Sequence, residues 1–439
     1  MERGLLILSP MAPPTRGFWL LLLPLAIACG AKTGLRVPDG EDAGPLPDVP
    51  VDVRPDVPPI DAPIDPPPPD ICIELPPDEP PSLVEVSFLA RIATADVLFL
   101  VDVTGSMSEE IEQIRATLRD VIAPELAATI DDVHIAVAEF ADFPVLPYGD
   151  DRDIPFRLVQ ASTADLLEAQ RGVDRLTLRS GSDVPESHVE ALYQAASGNG
   201  LGRFVPPARC PAGTVGYPCF RGAGSRIVLL FTDAEMHNGP GNNAAYDAPP
   251  INPPPARYED AVNELRAIGA KVLGLHSGGE FDGTRARQDL AQIARDTGAV
   301  TEAGEPILVD IGTRGERLDV GVIDVVRTLV EEVPLDIDVL VEDWPYDEVD
   351  ALDFVVGVQT AGATPRGGAT DLGDRYADVR PGTRVSFNVI LDNEDYPRMR
   401  DAQSYFLTIV LRGDGVTRLR ETVVQIVIPG EGEGCPDVD

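Results

Sequence analysis

Basic residues are scarce in this chain: 35 lysines and arginines stand against 73 acids in 439 residues, for a formal charge of −38. So little positive charge excludes nucleic acid or an anionic lipid surface as the main partner. Histidine is scarcer still. His134, His188, His237 and His276 are the full set, and no pair has the HExxH spacing of a zinc hydrolase. There is no GxSxG elbow, no cysteine in a catalytic histidine context and no recognisable two-metal His/Asp set, so no enzyme activity is expected. The apolar run Phe18 to Ala28 is too short to span a bilayer.

What is present is an alternation of apolar strands and amphipathic helices. ADVLFLVDV, VHIAVAEF, RIVLLFTDA and AKVLGLHS read as strands. Residues 109–128 (with a break near Pro124), 185–196, 256–268, 285–296 and 319–332 read as helices. That order predicts an α/β fold with a doubly wound, mostly parallel, Rossmann-like sheet, where ligands sit at the carboxyl ends of strands. From about Pro334 strands alone remain. RVSFNVIL places Val385, Phe387, Val389 and Leu391 on one face, and SYFLTIVL and ETVVQIVI follow. They predict a small antiparallel β-sandwich-like domain. The RGD at 412–414 reads as a hairpin turn rather than an adhesion ligand, because Asp-Gly is a favoured two-residue turn.

The stretch VLFLVDVTGSMSEEI, residues 97–111, carries the chemistry. Burying a strand requires Val97 to Val101 and nothing more. Yet Asp102, Thr104 and Ser106 follow at alternate positions, with Glu109 and Glu110 behind. On a loop leaving a strand, a carboxylate and two hydroxyls at this spacing can converge on one point. Hard oxygen donors of this kind suit Mg²⁺, Mn²⁺ or Ca²⁺ rather than zinc.

DVTGSM after an apolar strand resembles the metal-ion-dependent adhesion site of von Willebrand factor A domains, with Thr104 in place of the first serine of the usual DxSxS. The closer similarity is to the A-like domain of integrin β subunits. It is carried by DVTGSMSEE, FADFPVLPY, GSDVPES and LLFTDAEMH, in the same order. The resemblance implies that Asp102, Thr104, Ser106 and Glu186 are direct or near-direct ligands of a central Mg²⁺ or Mn²⁺, with Asp233 acting through water. It implies a second cation beside Glu109 and Glu110, where the family usually has aspartates. It also implies a third, calcium-like (Ca²⁺) site framed by Asp142, Asp183, the Pro185 carbonyl and Glu186. Gly181 stands where the integrin pattern has asparagine. In that family a partner's acidic side chain completes the metal shell, so the expected partner is an unidentified protein or other ligand presenting a carboxylate. His188 and His237 are expected as polar surface or supporting groups, not ligands. An ordinary helix start would account for Ser106, Ser108, Glu109 and Glu110 but not for Glu186 and Asp233. A structural envelope module with a non-functional metal site, or a metal-assisted hydrolase, are the alternative readings.

Arg16 followed by FWLLLLPLAIA has the layout of an export signal over residues 1–28. It ends in AIAC, which resembles a bacterial lipobox and implies lipidation of Cys29. The chain is therefore expected in a bacterial cell envelope, at the outer membrane, attached to the membrane through the lipid alone. Residues 29–82 are rich in proline and aspartate and are expected to form an extended, disordered linker. Cys72, Cys210, Cys219 and Cys435 form an even set with three possible connectivities, of which Cys210–Cys219 with Cys72–Cys435 is preferred over free thiols. The expected division is 83–333 for the A-like domain, 334–429 for the β-rich domain and 430–439 for a tail.

Overall fold

Nothing but apolar side chains runs from Val97 to Val101, and every one is fully buried. In the computed structural model, which describes residues 65–247, 251–278, 283–347, 349–431 and 434–435, that run is the heart of a sheet. The expected signal segment, Cys29 and the linker up to residue 64 lie outside the described residues.

The chain begins β1 (Ile71–Glu74), β2 (Ser82–Leu89), β3 (Thr94–Asp102), α1 (Ser108–Thr117), α2 (Ala123–Thr129), β4 (Asp132–Phe140), β5 (Arg157–Thr163), α3 (Leu166–Asp174) and α4 (His188–Ser197). It continues β6 (Thr214–Val215), β7 (Phe220–Arg221), β8 (Ser225–Thr232), α5 (Tyr258–Ala267), β9 (Ala270–His276), α6 (Gly283–Asp296), β10 (Leu308–Asp310) and α7 (Leu318–Glu332). Then come β11 (Leu335–Asp343), β12 (Val355–Thr364), β13 (Thr370–Asp371), β14 (Tyr376–Val379), β15 (Arg384–Leu391), β16 (Gln403–Gly413) and β17 (Thr417–Ile428).

One six-stranded sheet has the order β10-β9-β8-β3-β4-β5. Successive residues of a strand face opposite sides. Val97, Phe99 and Val101 accordingly enter an apolar cluster with Ile111 and Ile114 of α1 and Val322 of α7. Leu98 and Leu100 enter another with Leu192 of α4 and Leu265 of α5. Covered on both faces, the strand reads as an unbroken apolar run. The parallel register places the carboxyl ends of β3, β4 and β8 side by side: Asp102 lies opposite Phe140, and Val101 opposite Phe231.

A second six-stranded sheet, β1-β17-β16-β11-β14-β13, packs with the three-stranded β12-β15-β2 around Phe354, Tyr376, Phe387 and Ile426. Strand β15 buries Val385, Phe387, Val389 and Leu391 by plain alternation. At the β16–β17 turn Asp414 and Gly415 both have positive φ, and the Asp414 carboxylate holds Lys271 at 2.7 Å and accepts the Asp336 N–H at 3.1 Å. The RGD triplet thus spends its acid inside the molecule.

The expected fold class needs correction. Among the described residues eight of thirteen strand pairings are antiparallel, and the chain is a strand-rich molecule of mixed sheets rather than a doubly wound parallel one. Parallel pairing is confined to β10-β9-β8-β3-β4 and to β1 with β17, and β5 closes the first sheet antiparallel. The β body is neither small nor purely C-terminal. It recruits β2 against β15 and β1 against β17, from residues assigned by composition to the linker or to the A-like domain. Pairing across more than 300 residues leaves no trace in a local pattern, so proline-rich flanks hid β1.

Both disulfides are present: Cys72–Cys435 with Cα atoms 5.8 Å apart, and Cys210–Cys219 at 5.3 Å. No helix among the described residues is long and apolar enough to cross a membrane.

Candidate divalent-cation site

Asp102 is the last residue of β3 and is fully buried. Its Oδ1 accepts the Thr104 N–H at 3.0 Å and the Thr104 hydroxyl at 2.7 Å, and its Oδ2 accepts the Thr232 hydroxyl from the end of β8 at 2.8 Å. The Ser106 hydroxyl donates to Asp233 Oδ1 at 3.1 Å, and the Thr104 and Ser106 oxygens lie 3.3 Å apart. Each hydroxyl can spend its one proton on a carboxylate, which leaves oxygen lone pairs for a further partner.

Glu186 arrives on the loop before α4. Its backbone is stitched to the segment after β8: Glu186 N–H donates to the Glu235 carbonyl, and His237 N–H donates to the Glu186 carbonyl, both at 2.9 Å. The side chain is 3 % exposed, and its Oε2 has no hydrogen-bond partner. A Cβ on Gly181, which sits at φ +61°, would come within 2.5 Å of Glu186 Oε1. This close approach explains why a glycine stands here: Glu186 fills the space a side chain would need. Thr104, Ser106, Asp183, Val184, Glu186 and Asp233 share a cleft of about 280 Å³.

The electrostatics of the cleft are one-sided. Burial, then the Asp233 charge, pushes Asp102 up to about 7 against the hydrogen bonds from Thr104 and Thr232. Burial followed by the charges of Asp102 and Asp142 raises Glu186 well above the usual glutamate range. Burial raises Asp233 as well, with Ser106 opposing. No lysine or arginine stands among the groups that shift these three. Buried carboxylates normally carry a paired cation or coordinate a metal. Two hydroxyl oxygens and three carboxylates, one of them with an orphaned Oε2, are hard donors, and they fit Mg²⁺ or Mn²⁺.

The neighbouring acids divide. Glu110 is buried and its Oε1 accepts the Ser277 hydroxyl at 2.7 Å, while Glu109 is half exposed and reaches Arg314 at 3.5 Å. The two thus have separate partners. Asp142 and Asp183, expected at the third site, do meet, but on His237: its Nε2 lies 3.3 Å from Asp142 Oδ2 and 3.2 Å from Asp183 Oδ2. Pro185 shares the loop with Asp183 and Glu186, and its carbonyl makes no polar contact seen among the described residues. Neither His188 nor His237 is a surface group. His188 is fully buried, its Nδ1 3.0 Å from the Glu186 carbonyl and its Nε2 2.7 Å from the Thr232 hydroxyl, so it links the Glu186 loop to Asp102. Burial drops it to about 3. Sequence reasoning missed Thr232 and Tyr246 altogether. Thr232 directly precedes Asp233 at the end of an apolar strand, a signal that was available, whereas Tyr246 follows an Asn/Gly-rich turn with no motif.

No family model matches the chain, and no curated protein matches it. Among solved structures it is similar to proximal thread matrix protein 1 from the mussel byssus, at 14% identity over 58% of this chain and 51% of that one, with a TM-score of 0.32. It is also similar to the pilus adhesin SpaC from Lactobacillus rhamnosus GG in an open conformation, at 12% identity over 79% of this chain and 45% of that one, with a TM-score of 0.33. The chain thus spans about half the length of each, and TM-scores this low bear on neither fold nor function.

Proposed function

We propose that this chain is a cell-envelope lipoprotein with a von Willebrand factor A-like site, which binds a partner through a divalent cation. Thr104, Ser106 and Glu186 would hold Mg²⁺ or Mn²⁺, with Asp102 and Asp233 orienting the hydroxyls. A cation held by few charges keeps exchangeable waters, and a carboxylate from the partner can replace one of them. The observation that carries this reading is the Glu186 carboxylate, buried without a hydrogen bond for Oε2 and with no lysine or arginine among the groups that shift it, beside two hydroxyls whose protons can go to carboxylates. The chemistry is ligand exchange, with no bond of the partner broken. Cys29 would carry the lipid, and residues 29–64 would hold the head off the membrane.

Calorimetric titration of the chelator-stripped chain with Mg²⁺ tests the reading. The parent is expected to bind, and Glu186→Ala and Ser106→Ala to weaken binding tenfold or more, a loss of at least about 1.4 kcal/mol. Absence of heat at millimolar Mg²⁺ would reject the cation site and favour the structural envelope module.

A further inference from the structure

Beside the central cleft lies a constellation that the oxygen-only reading does not explain. His237 Nε2, Asp142 Oδ2 and Asp183 Oδ2 come from three separate segments, after β8, after β4 and before α4, and all lie within 4.8 Å of one another. Each donor is aimed by other contacts. His237 Nδ1 is 2.5 Å from the Ala244 carbonyl, so that nitrogen carries the ring proton and donates it. The imidazole stacks on Tyr246 at 4.1 Å and meets the edge of Tyr148 at 5.2 Å. Asp142 Oδ1 is engaged by the Tyr246 hydroxyl at 2.5 Å and the Phe143 N–H at 2.6 Å. That leaves Asp142 Oδ2, buried and without a hydrogen bond, pointing at His237.

A neutral imidazole donating through Nδ1 would present its Nε2 lone pair to two carboxylate oxygens, which repel it. A second ring proton, donated from Nε2 to Asp183 at 3.2 Å, or a metal ion among the three relieves that repulsion. A ring nitrogen turned toward carboxylates, with the other N–H fixed on a backbone carbonyl, is the usual arrangement around a metal-bound histidine. Bonds of about 2.0–2.1 Å from Zn²⁺ to imidazole nitrogen and carboxylate oxygen put neighbouring ligand atoms of a tetrahedron about 3.3–3.4 Å apart. The two nitrogen–oxygen separations are 3.2 and 3.3 Å. We propose that Asp142, Asp183 and His237 form a second metal site, selective for Zn²⁺ and its first-row neighbours over Ca²⁺, with a position left open on the exposed Asp183 side. The imidazole sets the selectivity, since nitrogen donors favour transition metals whereas calcium takes oxygen throughout. This goes beyond the central Mg²⁺ site and does not depend on it.

Titration of the chelator-stripped full chain with Co²⁺ tests the proposal by visible absorption, followed by competition with Zn²⁺ and with Ca²⁺. The expected result is a saturable Co²⁺ spectrum that Zn²⁺ displaces and a comparable concentration of Ca²⁺ does not. His237→Gln should remove it. Asp183→Asn, on an exposed loop where folding is not at stake, should weaken binding at least tenfold. Co²⁺ binding in both variants within about twofold of the parent, or displacement by Ca²⁺ as readily as by Zn²⁺, would overturn the assignment, as would the lack of any Co²⁺ spectrum in the parent. Ser106→Ala should leave the Co²⁺ spectrum intact. A chain that gives this spectrum but no Mg²⁺ heat keeps this site while rejecting the central one.

Discussion

The β body and the rim of the α/β body treat their acids in opposite ways. In the β body Arg412 grips Asp338 with two hydrogen bonds of 2.8 and 2.9 Å, and Arg418 does the same to Glu342. Even inside the α/β body, the fully buried Glu139 of β4 has Arg157 at 2.6 Å and Arg179 at 3.4 Å. Asp102, Glu186 and Asp233 are mostly or wholly buried and receive no such partner among the described residues. A chain with 35 basic residues for 73 acids still places its arginines where structure needs them. At the rim no lysine or arginine is among the groups that shift these acids.

The rim should respond most strongly to pH and cation together. Asp102 and Asp142 sit at about 7 in the folded chain, chiefly through burial. An acid whose folded pKa is raised takes up a proton on folding, so its stabilising contribution is complete below the unfolded value and is lost as pH rises through the folded one. The chelator-stripped chain is therefore expected to lose stability, on the order of a few kcal/mol, between about pH 4 and pH 7. Saturating Mg²⁺ should flatten or reverse that slope in denaturant melts. A stripped chain that grows more stable across this window would mean that the rim acids are paired in the folded state.

A smaller effect is expected from Glu186→Gln, which keeps the shape and removes the unpaired charge. At pH 8 without cation it should stabilise the chain by about 1–2 kcal/mol while weakening Mg²⁺ binding. Destabilisation in the stripped state would mean that the carboxylate has a partner after all. The smallest effect belongs to the β body. Arg412→Ala breaks a partly exposed pair and should cost no more than about 1 kcal/mol, with Mg²⁺ affinity unchanged.

The same contrast governs what could be read from the sequence. β3 was legible because burial on both faces writes itself as VLFLV, and Asp102, Thr104 and Ser106 because they share one loop. Asp233 was legible as the acid at another strand's end. The role of His237 was not, because it depends on Asp142 and Asp183 folding to meet it, and its ring is set by Tyr246 beyond an irregular turn. β1 was lost for a different reason. Four residues, ICIE, gain their meaning from β17 about 350 residues later, and their flanks read as linker.

The clasp formed there also has a mechanical consequence. Tension entering from the N-terminal side meets β1 first, lying parallel to β17 and bonded to the far end of the chain through Cys72–Cys435. Such a strand is loaded in shear, so its hydrogen bonds resist together instead of unzipping singly. The disulfide would stop extension even if they failed. Force applied on the N-terminal side of β1 is thereby shared with the β body before it reaches the loops that shape the cleft.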